Sequence, residues 1–166
     1  MKMREDVANA YKAAHGLTGL GSSVKLLQQQ LKTEEKTVSM TKASHGDYVG
    51  VLAVTNRRFI FAARFIATKK ITDIPLQEIT SVRGGRDLEN SSLTVSVAGS
   101  TITFQALAWR DADNVTNLLR TMVEESHNNS QEGTADRLLK LKQLLDAGVL
   151  TQGEYEAKAS VLKSAL

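Results

Sequence analysis

The feature that most constrains the fold is a change of hydrophobic period. From Glu34 to about Ala106 apolar residues favour every second position, whereas the segments on either side repeat at helical spacing. Leu93, Val95 and Val97 alternate with Thr94, Ser96 and Ala98, and Ile102, Phe104 and Ala106 alternate with Thr103 and Gln105. The short connection Ala98-Gly99-Ser100 makes these two runs a hairpin with one buried face. Upstream, Tyr48–Thr55 and Arg58–Phe65 are β-rich runs joined by Asn56-Arg57, a second tight hairpin in which Phe59, Phe61 and Phe65 share a face. Weaker strands are predicted over 34–42, 69–74 and 78–83, with Pro75 and Gly84-Gly85 as breaks. About seven short antiparallel strands follow, enough for a small bent sheet or barrel.

Helical patterns flank this region. Met3, Val7, Ala10, Tyr11 and Ala14 predict one short helix that His15-Gly16 stops; Val24, Leu27 and Leu31 predict a second, with Ser22 or Ser23 as its N-cap. Gly16, Gly19 and Gly21 read as the link between them, since no strand precedes them as a dinucleotide-binding loop would require. After the strands, Val115, Leu118, Leu119, Met122 and Val123 predict an amphipathic helix, N-capped by Asp111, that closes the open face of the sheet. The polar run Ser126–Gly133 reads as a linker.

The last residues carry explicit helix punctuation. Leu138, Leu141 and Leu145 line one helix, which Gly148 ends as a left-handed cap. Thr151 and Glu154 form a capping box, Leu150 and Tyr155 occupy the positions of a hydrophobic staple, and Tyr155, Ala159, Leu162 and Leu166 line the next helix. Two helices of roughly a dozen residues are marginal alone in water, so the hairpin should dock on something. The chain thus divides into an N-terminal helical segment (1–32), a β-domain with its closing helix (33–125), a linker (126–134) and a helical hairpin (135–166), an α+β architecture.

Composition narrows the function. At 166 residues, 42% hydrophobic and 23% charged, the chain suits one globular domain plus an appendage. It has no cysteine, which removes disulfides, thiolate metal sites and cysteine nucleophiles. The early charges Lys2, Arg4, Glu5 and Asp6 argue against a signal peptide, and the longest apolar run, Phe59 to Ala67, is broken by Arg64 and too short to cross a bilayer. A cytoplasmic location is the expectation. Net charge is +3 and spread along the chain, not gathered on one block as a nucleic-acid binder usually requires.

Two family resemblances rest on particular residues. Gly50-Val51-Leu52-Ala53-Val54-Thr55-Asn56-Arg57-Arg58-Phe59-Ile60-Phe61, followed by Ile74-Pro75-Leu76-Gln77-Glu78-Ile79-Thr80-Ser81-Val82, resembles the strand pair and I-P-L stretch of bacterial pleckstrin-homology-like domains, over about 33–125. The resemblance implies a small bent sheet or barrel closed by a C-terminal helix. Leu141-Lys142-Gln143-Leu144-Leu145-Asp146-Ala147-Gly148-Val149-Leu150-Thr151 with Glu154-Tyr155-Glu156-Ala157-Lys158 resembles the short C-terminal domain called SHOCT, with Leu150, Tyr155 and Ala159-Ser160 as mild departures. That resemblance implies oligomerisation or protein contacts, and a bacterial or phage source. The helices of 1–32 match neither family.

Catalysis is not expected. His15, His45 and His127 all lie beside glycine or asparagine in predicted turns, and His45-Gly46-Asp47 cannot form a triad without a distant nucleophile. No metal-ligand spacing or phosphate loop is present, and no cofactor is implied. Trp109 reads as a core plug. The expected function is a non-catalytic protein–protein interaction and oligomerisation module of a bacterium or phage, with no small-molecule substrate implied, and with Leu138, Leu141, Leu145, Tyr155 and Leu162 as the candidate protein-binding stripe and the chain itself or another protein as partner. The alternative is binding to an anionic surface, membrane or nucleic acid, through Lys42, Arg57, Arg58, Lys69 and Lys70. Eukaryotic pleckstrin-homology domains grip phosphoinositide head groups with basic loop residues; here Lys42 and His45 alone would serve the first such loop, and seven acids share residues 33–107.

Overall fold

The computed structural model describes residues 2–86, 91–131 and 134–163. Helices α1 (Glu5–Ala13) and α2 (Gly21–Gln30) precede seven strands: β1 (Thr37–His45), β2 (Tyr48–Thr55), β3 (Arg58–Phe65), β4 (Thr68–Pro75), β5 (Ile79–Arg86), β6 (Ser91–Val97) and β7 (Ser100–Phe104). Helices α3 (Trp109–Gln131), α4 (Thr134–Asp146) and α5 (Gln152–Lys163) follow. The strands form two antiparallel sheets in sequence order, β1 to β4 and β5 to β7. A pair of backbone hydrogen bonds between Ser44 and Gln105, 2.7 and 2.9 Å, joins β1 to the end of β7. The expected α+β architecture of seven strands closed by a helix is the one observed.

Alternation decides which residues meet between the sheets. Leu52, Val54, Phe59 and Phe61 of the first sheet, Val82, Leu93, Val95 and Phe104 of the second, and Val115, Leu119 and Val123 of α3 form one buried cluster. The rings of Phe59 and Phe61 meet Phe104 with centroids 5.1 and 5.4 Å apart. The opposite face of β1 to β3, carrying Met40, Val51, Ala53, Ile60 and Ala62, is buried as well, beneath Val7, Ala10, Leu17, Val24 and Leu27 of the N-terminal segment. Residues 51–54 and 59–63 are apolar at both parities because both faces of that sheet are covered. The N-terminal helices are therefore an outer layer of the sheet.

Several boundaries differ from the sequence expectation. Strand β1 begins at Thr37 instead of residue 34, because the Glu35 N–H turns back to the Lys32 carbonyl and the Glu35 side chain is buried in an ion pair. Strand β7 ends at Phe104, since Ala106 turns to φ +52° and Gln105 pairs with Ser44. Gly84-Gly85 does not break the chain: β5 pairs with β6 through Arg86–Ser91, and the ladder offsets the glycines' entropic cost of about 1 kcal/mol each. Phe65 does not join Phe59 and Phe61 in the core but stands 71% exposed at the end of β3. Neither Ser22 nor Ser23 caps α2; both hydroxyls bond to the backbone of Arg64, and the cap position is Leu20.

Asp111 lies inside α3, which starts at Trp109, and its carboxylate accepts two hydrogen bonds from His15 in place of capping the helix. The side chain of Trp109, like Glu132, Gly133 and Leu166, lies outside the described residues. The polar run expected as a linker is helical as far as Gln131, since it contains no glycine or proline before Gly133 to stop α3.

The chain divides into two compact units, Met1–Glu124 and Glu125–Leu166. In the second, α4 and α5 pack on each other and their turn is closed as the sequence implies. Gly148 has φ +71°; its N–H reaches the Leu145 carbonyl at 2.9 Å and the Val149 N–H reaches that of Leu144 at 2.9 Å, the Schellman pattern. Thr151 and Glu154 form a reciprocal capping box: the Thr151 N–H donates to Glu154 Oε2 at 2.9 Å and the Glu154 N–H to Thr151 Oγ1 at 3.4 Å. The hydrogen bond from the Thr151 N–H, then that from its hydroxyl, holds the Glu154 carboxyl below its ordinary pKa. No described helix is long and apolar enough to cross a membrane.

Candidate binding surfaces

The basic residues proposed for an anionic surface do not form one patch. Arg58 opens β3 and is committed to the fold. Its Nε and one terminal nitrogen bind both Glu35 oxygens at 2.8 and 2.9 Å, the other terminal nitrogen binds Asp73 at 2.6 Å, and the Gln30 carbonyl accepts a further bond at 2.6 Å. Glu35 is 0% exposed and also accepts the Lys32 N–H and the Thr55 hydroxyl. Burial pushes its pKa up, but the bonds from Arg58, Lys32 and Thr55 outweigh it, so the carboxyl titrates below its ordinary value. Its bonds with Glu35, against an opposing effect of burial, raise the pKa of Arg58.

The rest of the Thr55-Asn56-Arg57-Arg58 stretch is equally structural. Thr55 Oγ1 accepts the N–H groups of Arg57 and Arg58 at 3.1 and 3.0 Å, and Asn56 Oδ1 accepts the Lys36 N–H at 2.8 Å. Gly50, at the start of this motif, has no room for a side chain: a Cβ would sit 2.4 Å from the Ala62 carbonyl oxygen. Arg4 extends the same clamp, bonding Asp6 and the carbonyls of Lys32 and Glu35. Asp6 in turn accepts the Thr37 N–H at 2.8 Å; burial opposes ionisation, but this bond and Arg4 win and lower its pKa.

Lys42 lies within β1, not in the first loop, and its stem packs against the Gly16 turn. The loop it was to serve is Gly46-Asp47, where an acid replaces the expected cation. Arg57 occupies the β2–β3 turn, whereas Lys69 and Lys70 lie at the opposite end of the eight-residue strand β3, roughly 24 Å away by strand rise. Lys69 and Lys70 follow one another in β4 on opposite faces of the ribbon, and Arg64 is the cross-strand partner of Lys69.

The histidines do more than fill turns. His15 donates its backbone N–H to Asp111 Oδ2, and its Nδ1 lies 2.7 Å from Oδ1, bracing the inter-helix link against α3. His45 Nδ1 lies 3.2 Å from the Thr103 carbonyl, with its ring against Phe61 and Phe104. Among the described residues no group of three or more His, Cys, Asp or Glu could hold a metal.

On the terminal hairpin, Leu138, Leu141, Leu145, Tyr155 and Leu162 are each half-buried. The more exposed apolar side chains lie off that stripe, at Leu139 (58%), Val149 (67%) and Val161 (68%). A second exposed apolar feature was missed in the sequence: the β3–β4 turn presents Phe65 and Ile66 to solvent. Its signal was Ile66-Ala67 in a two-residue hairpin turn, where glycine or asparagine is expected.

Two antiparallel sheets packed face to face and closed by a C-terminal helix, with a T-N-x-R clamp at the β2–β3 turn, define a pleckstrin-homology-like module. Residues 31–121 match the family described as Bacterial PH domain, more than half of the chain, and the protein belongs to that family. No curated protein matches. Among solved structures, the chain is similar to the Vps36 N-terminal PH domain at 14% identity and TM-score 0.46, covering 57% of this chain and 83% of that one. It is similar at 12% identity and TM-score 0.46 to a DUF1696 family protein with a pleckstrin-homology domain from Shewanella loihica, covering 64% and 98%. A third, the C-terminal domain of an unknown protein from Leishmania infantum, gives 17% identity and TM-score 0.42 over 61% and 92%.

Proposed function

We propose that this bacterial PH domain protein is a non-catalytic, cytoplasmic protein-binding module of a bacterium or phage that self-associates through its C-terminal hairpin. Domains of this family often mediate protein or lipid interactions. The observation that carries the reading is the apolar surface of the hairpin: two helices of 13 and 12 residues and the turn that joins them hold Leu139, Leu144 and Val149 exposed beside a half-buried stripe. So short a pair gains little stability from itself, and a second copy offers the same apolar face in return. The resemblance of 138–166 to SHOCT supports the same role. Light scattering over a wide concentration range tests it. A fixed oligomer that Leu139→Glu with Leu144→Glu reduces to a monomer is expected; a strictly monomeric native chain at high concentration would refute it.

A further inference from the structure

We propose that the β3–β4 hairpin tip is a membrane-docking element that places Phe65 and Ile66 among the lipids of an anionic bilayer while Arg64, Lys69 and Lys70 engage the head groups. This goes beyond the self-association proposed above. Phe65 is 71% and Ile66 86% exposed, so neither adds to the core. Ile66 also has φ +43°, a left-handed conformation that a β-branched side chain disfavours and that asparagine or glycine would take readily. An isoleucine there costs the fold stability and buries nothing within it, which points to an apolar partner outside the chain.

The surrounding charge identifies that partner. Residues 59–72 contain Arg64, Lys69 and Lys70 and no Asp or Glu. Arg64 pairs with Lys69 across the ribbon and therefore shares its face, while Lys70, opposite Ala63, lies on the other, so cations flank the tip on both sides. Among the described residues no carboxylate forms an ion pair with any of the three. Unlike the clamped Arg58, these side chains are available to ligands. The Ser22 hydroxyl donates to the Arg64 carbonyl and the Ser23 hydroxyl accepts the Arg64 N–H, which holds the base of the tip to α2. Apolar residues ahead of a ring of cations suit a bilayer with an anionic surface; a nucleic acid would match the cations but leave Ile66 without a partner.

Co-sedimentation of the full chain with vesicles tests the assignment, comparing equimolar phosphatidylserine and phosphatidylcholine with phosphatidylcholine alone. Binding is expected only to the anionic vesicles and should weaken with salt. Lys69→Gln and Lys70→Gln should each weaken it about five-fold, and Phe65→Ser roughly ten-fold. Ile66→Asn is the control for folding: it should melt no lower than the native chain yet bind vesicles less well. Absence of binding to anionic vesicles would overturn the proposal, as would binding unchanged in Ile66→Asn and Phe65→Ser. Complete competition by soluble glycerophosphoserine would also overturn it, by replacing an inserted tip with a head-group pocket.

Discussion

Arg58 illustrates how a residue type can suggest one role and its neighbours dictate another. In the sequence it stands beside Arg57 as half of a basic pair, and only the structure reveals that its cross-chain partner, Glu35, lies 23 residues earlier and is fully buried. Removing the arginine would leave that carboxylate buried and unpaired, so Arg58→Met should cost about 3–5 kcal/mol, read from denaturant midpoints. An effect below 1 kcal/mol would mean that solvent reaches Glu35 in the folded chain. The clamp also responds to acid. Glu35 and Asp6 have folded-state pKa values below their ordinary 4.5 and 3.8, so their stabilisation is complete above those values and is lost as pH falls through the lower folded ones. Amide exchange in α1 and α2 should therefore accelerate in that acid range before β2 and β3 open, and Glu35→Gln should blunt the effect. Equal acid sensitivity of helices and strands would contradict it.

At the scale of elements, alternation made the strands legible, because β6 and β7 keep one polar face and nothing competes with the period of two. Strands β2 and β3 were equally recognisable, but their apolar runs hid a second message: a sheet apolar on both faces needs two covers. Only α3 was assigned that duty in advance, although the stripe Val7, Ala10, Val24 and Leu27 was visible at helical spacing. Deleting residues 1–32 should thus expose Met40, Val51, Ala53, Ile60 and Ala62 and give a chain that aggregates or binds hydrophobic dyes. A soluble, cooperatively melting product would show that the outer layer is dispensable. Helix punctuation was the most readable signal of all, since the cap of Gly148 and the box of Thr151 are local in sequence. Thr151→Ala should loosen the hairpin by about 1 kcal/mol and Gly148→Val should strain it further, with amide protection falling in α4 and α5 alone. Matching losses in β2 would mean that the hairpin and the β-domain melt together.

For the whole molecule, the strand order and closing helix followed from local patterns, whereas the binding surfaces did not. Surfaces depend on which side chains remain after long-range pairs have formed: Arg58 was lost to Glu35, while Phe65 was released by the end of its strand. The extent of α3 was hidden for another reason, since serine, histidine and asparagine are tolerated in a helix already nucleated upstream. A chain cut after Glu132 should keep a cooperative melt and its β-type circular dichroism while its mass in solution falls to that of a monomer. Unfolding of that fragment would make the hairpin a structural part of the β-domain.

The outer layer has a consequence for synthesis. Helices α1 and α2 leave the ribosome before the strands they cover, and that surface is finished only when β3 has emerged, some 35 residues later. At about 5–20 residues per second the nascent helix pair waits roughly 2–7 s with Val7, Val24 and Leu27 unprotected. The helix pair, made ahead of its sheet, is thus the part that must be kept from other apolar chains until that sheet arrives.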